Sequence, residues 1–251
     1  MPLLITILLL AGVLCGNNHA GAATAPDTRD TLTLFDSARS RAIPIAIYPP
    51  AGKAVTHPPL VILSHGYWPD RNDIYLGYSY IAETLAAAGY FVVSIQHDLP
   101  TDERIPTQGV PQVVRRPFWE RGADNIHFVI GALKSRYASP DFTNTTLIGH
   151  SNGGDMTALF VTKYPGEVQR IITLDNRRMA LPRTANPRVF SLRSNDQPAD
   201  EGVLPTAAEA QQYHMVIIPL PDTEHNNMTD AGSKKQKAAI NRYILQFLKE
   251  K

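Results

Sequence analysis

One stretch constrains this chain more than any other: Gly149-His150-Ser151-Asn152-Gly153-Gly154. It follows a run with the character of a buried strand, Thr145-Thr146-Leu147-Ile148, and precedes one with the character of a helix, Asp155 through Lys163. A serine flanked two residues either side by glycine, between strand and helix, is the pattern of a very tight, strained turn. The glycines are needed because the turn leaves no room for a Cβ at those positions. Such a turn lifts the Ser151 hydroxyl clear of the sheet and leaves backbone N–H groups free at the start of the helix.

Around this turn, strand-like and helix-like segments alternate. Thr31–Phe35 and Ala42–Tyr48 predict a two-strand opening, and Leu60–Leu63 a short buried strand ending at Ser64-His65-Gly66. Ile74, Tyr78, Ile81, Ala82 and Leu85 form the stripe of an amphipathic helix that Gly89 stops. Tyr90–Ile95 predicts the next strand, the proline-bearing stretch from Asp98 to Pro117 a loop, and Phe118–Tyr137 a helix. Arg170–Leu174, Arg188–Leu192 and Val216–Ile218 complete the strands, and a closing helix carries Ile240, Tyr243, Ile244, Phe247 and Leu248 on one side. Continuously apolar strands separated by helices predict a mostly parallel sheet covered on both faces. The later connections are too short for a large cap domain, so the site should be open.

The 251 residues suit one α/β domain, here residues 31–251, and 43% hydrophobic content supplies a substantial core. A net charge of +1 without long runs of either sign gives no electrostatic footing for nucleic acid as a partner. No metal-ligand spacing is present, and neither a cofactor nor a metal is expected. Leu3 through Leu14 is almost purely apolar, too short to span a bilayer but of the length of a signal-peptide core. Residues 1–22 are therefore expected to be a signal peptide, cleaved near Ala20-Gly21-Ala22, and the mature chain to be secreted or periplasmic without a membrane span. Cys15 raises lipidation, but Leu14 is too large for the position before a lipidated cysteine. As the only cysteine, it also rules out a disulfide within the chain.

A serine hydroxyl is a weak nucleophile at neutral pH and needs a base in hydrogen-bond reach, oriented by an acid. After Ser151 only His214 and His225 remain. His214 opens the last strand, whereas His225 sits in a polar loop between that strand and the final helix, where the base is expected. Three aspartates end strands or follow them: Asp196 after Leu192, Asp175 after Leu174, and Asp200 four residues past Asp196. Asp196 is the preferred acid, with Asp175 as the alternative and Asp200 behind it. Oxyanion donors are expected at the backbone N–H groups of Asn152, directly after the nucleophile, and of Tyr67, after His65-Gly66. The loop from Asp98 to Pro117, with Tyr67 and Trp68, is expected to shape specificity.

Taken together, Leu63-Ser64-His65-Gly66, the serine turn and the late histidine resemble the α/β-hydrolase superfamily, from about Leu60 to the C-terminus. Within it they resemble dienelactone-hydrolase-like and platelet-activating-factor-acetylhydrolase-like bacterial esterases. Dienelactone hydrolases proper use a cysteine; Ser151 departs from that and implies ordinary ester chemistry. In most of the superfamily the acid follows the second strand after the serine turn, which implies Asp196. In the acetylhydrolase group it follows the first, which implies Asp175. The resemblance implies a serine esterase acting on small-molecule esters of short to medium acyl chain. A peptidase or amidase, or a silent binding protein of the same fold, are the alternatives.

Overall fold

Strand residues divide by parity between two apolar layers. Leu60 and Ile62 pack in one with Ala123, Ile126, Leu133 and Phe160; Val61 and Leu63 pack in the other with Ile81, Leu85, Ile240 and Phe247. A sheet whose successive side chains enter opposite cores must be covered on both faces. The computed structural model describes residues 29–51, 55–68, 70 and 72–250. The apolar amino-terminal run, Cys15 and the expected cleavage site lie outside the described residues.

In chain order the elements are β1 (Asp30–Asp36), β2 (Arg41–Tyr48), β3 (Pro59–Ser64), α1 (Ser79–Ala87), β4 (Phe91–Ile95), α2 (Pro111–Val114) and α3 (Arg116–Arg136). They continue with β5 (Asp141–His150), α4 (Asn152–Lys163), β6 (Arg170–Leu174), β7 (Arg188–Arg193), α5 (Ala207–Gln212), β8 (Val216–Pro219) and α6 (Lys234–Lys249). The strands form one sheet in the order β1-β2-β4-β3-β5-β6-β7-β8. β1 and β2 pair antiparallel, as do β2 and β4, and every later pair is parallel. The parallel strands thus all end at one edge, where ligands gather in such sheets. Between β5 and β6 lies α4, between β7 and β8 lies α5, and no separate domain is inserted among the described residues.

Of the departures from the sequence pattern, the first bears on the site. The stripe from Ile74 to Leu85 is not one helix: Ile74–Leu76 is a 3₁₀ turn, and α1 begins at Ser79. The Asp230 carboxylate causes the break by accepting the N–H groups of Ser79 and Tyr80 at 3.0 and 3.1 Å, which caps a fresh helix start. Tyr78, ahead of that start, turns inward. The second departure is α5, whose capping box of Thr206 and Glu209 is visible in the sequence once sought.

Candidate active site

Ser151 links β5 directly to α4 with φ 53° and ψ −119°, a backbone conformation that costs a non-glycine residue about 1–3 kcal/mol. The surroundings hold it there. Its N–H donates to Leu174 O at 2.8 Å, and its carbonyl accepts the Asp155 N–H at 3.0 Å. A Cβ on Gly149 would stand 2.2 Å from Gly153 O, and one on Gly153 would stand 2.3 Å from Ser64 O. Both meet backbone, which cannot swing aside, so β5, α4 and the end of β3 close on one another only with glycine at these positions.

His225 lies in a 3₁₀ turn, His225–Met228, between β8 and α6. Its Nε2 is 2.9 Å from Ser151 Oγ, and its Nδ1 is 2.5 Å from Asp175 Oδ2. A nitrogen facing a carboxylate carries the proton, so Nε2 is left to accept the Ser151 hydroxyl. The structure therefore brings Ser151, His225 and Asp175 together in one hydrogen-bonded line. Asp196, the preferred acid, is not in it. Its side chain is exposed, and Oδ1 accepts the backbone N–H of His225 at 2.7 Å. Asp200 is further removed, held by Gln112 at 3.1 Å and facing Arg178 at 3.7 Å. The correction is one of reach: the Asp175 carboxylate meets the His225 ring, and the Asp196 carboxylate meets only its backbone N–H.

Asp175 is fully buried and well supplied with partners. Oδ1 accepts the Ser194 N–H at 3.0 Å, Oδ2 accepts the Ser194 hydroxyl at 2.6 Å, and Arg193 Nη2 approaches Oδ1 at 2.9 Å as an ion pair without hydrogen-bond alignment. Burial by itself would raise this carboxyl. The His225 hydrogen bond, the Arg193 charge and the Ser194 bonds outweigh it and hold Asp175 below the ordinary carboxylate value. Arg193 and Ser194 carried no signal in the sequence, because their role depends on β7 lying beside β6.

Two backbone N–H groups flank Ser151. Asn152 opens α4, so its N–H has no acceptor within the helix. Its side-chain Oδ1 accepts the indole N–H of Trp119 at 2.9 Å. Tyr67 follows Gly66, where an added Cβ would meet Ser151 Cβ at 3.3 Å, so this peptide passes directly against the serine. The Gly66 carbonyl accepts the Nδ1–H of His65 at 2.7 Å, and His65 Nε2 accepts the His97 N–H at 2.8 Å. Burial pushes His65 and His97 below the usual histidine value. A cavity of about 330 Å³ opens beside this loop, lined in part by Trp68, Ile74, Tyr78 and Thr229. Among the described residues no group of three His, Cys, Asp or Glu side chains is placed to hold a metal ion, and no helix is long and apolar enough to cross a membrane.

No protein-family profile matches the chain, and no curated protein matches it in sequence. Solved structures do match in shape. An esterase from the fungus Rhizomucor miehei superposes with a TM-score of 0.64 at 14% identity, covering 88% of this chain and 81% of its own. The chain has the α/β-hydrolase fold. A Xanthomonas campestris serine hydrolase of this fold, described as lacking a lid, matches with a TM-score of 0.57 at 15% identity over 90% and 98% of the two chains. A Klebsiella pneumoniae protein taken to be a dienelactone hydrolase matches with a TM-score of 0.62 at 13% identity over 89% and 99%. In this α/β-hydrolase fold, Ser151 follows β5, Asp175 follows β6 and His225 follows β8, all at the same edge of the sheet.

Proposed function

We propose that the chain is a serine hydrolase that cleaves carboxylic esters of short to medium acyl chain through an acyl-enzyme on Ser151. The observation that carries this reading is the unbroken line from Ser151 Oγ through His225 to Asp175, at 2.9 and 2.5 Å. Ser151 attacks the ester carbonyl while His225 Nε2 takes its proton. Asp175 holds the imidazole in the reactive tautomer and stabilises the cation that forms. The N–H groups of Tyr67 and Asn152 receive the oxyanion. His225 returns the proton to the departing alcohol, and water then repeats the sequence on the acyl-enzyme. The cycle is complete with these groups and calls on no cofactor or metal.

The fold neighbours support the ester reading, since several are esterases. The apolar amino-terminal run supports a secreted or periplasmic destination, which fractionation of cells expressing the full chain would check. For the chemistry, purified protein should label with a fluorophosphonate and turn over p-nitrophenyl acetate and butyrate faster than the octanoate. Ser151→Ala should abolish both activities. Absence of labelling together with absence of Ser151-dependent turnover would sink the proposal.

A further inference from the structure

Tyr78 and His150 take no part in the cycle just described, yet both are buried against it. Gly66 N–H donates to Tyr78 Oη at 3.0 Å, Tyr78 Oη is 2.8 Å from His150 Nδ1, and His150 Nε2 is 3.1 Å from the carbonyl of His225. Chemistry fixes every direction in this chain. A carbonyl only accepts, so His150 Nε2 carries the proton and Nδ1 must accept. Tyr78 then donates its hydroxyl proton to Nδ1 and takes the Gly66 N–H on a lone pair. Tyr78 and His150 are each 4% exposed and His225 6%, so water does not compete.

Both ends of the chain bear on the reaction. At one end the Gly66–Tyr67 peptide is pinned twice, through the Gly66 carbonyl by His65 and through the preceding N–H by Tyr78. In a trans peptide the Tyr67 N–H points opposite the Gly66 carbonyl, so fixing Gly66 aims the oxyanion donor. At the other end His225 is held by its carbonyl through His150 and by its N–H through Asp196. We propose that Tyr78 and His150 are positioning residues that tie the oxyanion loop to the loop of the catalytic base across the back of the nucleophile, an inference that rests on the serine-hydrolase reading.

The neutrality of His150 is part of the device. Its ring centroid is 4.6 Å from that of His225, where an imidazolium forms during acylation. A second cation at that distance would oppose it. Burial first, and then the neighbouring His225, push His150 down to about 3, against an opposing pull from Asp175.

The test is a double-mutant cycle on p-nitrophenyl butyrate with Tyr78→Phe and His150→Ala, and with His150→Asn as the conservative variant. The Asn side-chain oxygen can replace Nδ1 as acceptor for Tyr78. Tyr78→Phe should lower kcat by about 10²-fold with KM nearly unchanged, since the donor it aims acts on the transition state. The double variant should cost no more than either single one, and His150→Asn should recover part of the loss seen with His150→Ala. Thermal midpoints and circular dichroism identify variants that fail to fold, for which His150→Asn supplies the decisive comparison. If wild type turns over the ester but Tyr78→Phe keeps full kcat, or the two losses multiply, this proposal fails while the esterase reading stands. If wild type shows no Ser151-dependent turnover, the esterase reading fails and takes this one with it.

Discussion

The two flanks of Ser151 are built by different means. On the β3–β5–α4 side, geometry comes from closeness of backbone: Gly149 and Gly153 let main-chain atoms approach to distances that no Cβ allows, and Gly66 lets its backbone pass close against the His150 ring. On the β6–β7–β8 side it comes from charge and hydrogen bonds between side chains: Asp175 meets His225, Ser194 and Arg193, while Asp196 waits outside on a backbone N–H. A flank built of missing side chains is fixed by a few consecutive residues. One built of charged partners is decided by which strands the fold sets side by side.

The sharpest way to break this comparison is to remove the charge from each aspartate in turn. Asp175→Asn should lower kcat by about 10⁴-fold, as loss of the acid does in related triads, because the amide no longer enforces the tautomer. Asp196→Asn keeps an oxygen for the His225 N–H, and one hydrogen bond is at stake, so the loss should stay within about tenfold. Steady-state kinetics on p-nitrophenyl butyrate decides between them. Near-full activity in Asp175→Asn with collapse in Asp196→Asn would mean that the acid flank is organised otherwise.

On the other flank the matching change is Gly153→Ala. Its methyl group would stand 2.3 Å from Ser64 O, and only backbone movement can relieve it. Overpacking of this kind costs about 1–3 kcal/mol, which for a chain of this size lowers the thermal midpoint by several degrees. The serine should also label more slowly with fluorophosphonate, since the elbow, the tight turn that carries Ser151, is displaced. An unchanged midpoint would show that β3 yields where close packing says it cannot.

This contrast explains what the sequence made legible. The elbow could be read because its requirement is local: six consecutive residues state where Cβ atoms are forbidden. That His225 stands beside Ser151 could be read because chain order and a polar loop after the last strand favour it over His214. The aspartate that faces His225 could not, because Asp175, Asp196 and Asp200 all follow strands at the same edge, and only the folded contact between Asp175 and the His225 ring selects the first. Ser194 and Arg193 escaped for the same reason, and Tyr78 because its helical spacing concealed a break that Asp230, more than a hundred residues away, imposes. The parallel sheet and its strands were legible from apolar runs, whereas α2 and α5 are too short for periodicity to show.

The smallest effect separates the flanks by acidity. Burial, the first cause in each case, depresses His65, His97 and His150 in the fold, His150 to about 3, while the unfolded chain protonates histidine near 6.5. Their contribution to stability is complete above pH 6.5 and is lost as pH falls toward the folded values, because the unfolded chain takes up protons that the fold refuses. Asp155 has the opposite sign. Burial raises it to about 6, so below that pH the fold binds a proton before the unfolded chain does, and its burden is relieved down to about 3.8. Asp175, depressed by its partners, holds its contribution until pH falls below 3.8. Acid should therefore weaken the elbow flank first. The urea midpoint should be flat above pH 7 and fall below 6.5, each histidine adding up to about 1.4 kcal/mol per pH unit and Asp155 subtracting as much below 6. Asp155→Asn should steepen the fall between pH 6 and 4, and His150→Asn should make it shallower. A midpoint that holds level from pH 7 to 5 in wild type and in both variants would remove the buried neutral histidines from the account of what supports this flank.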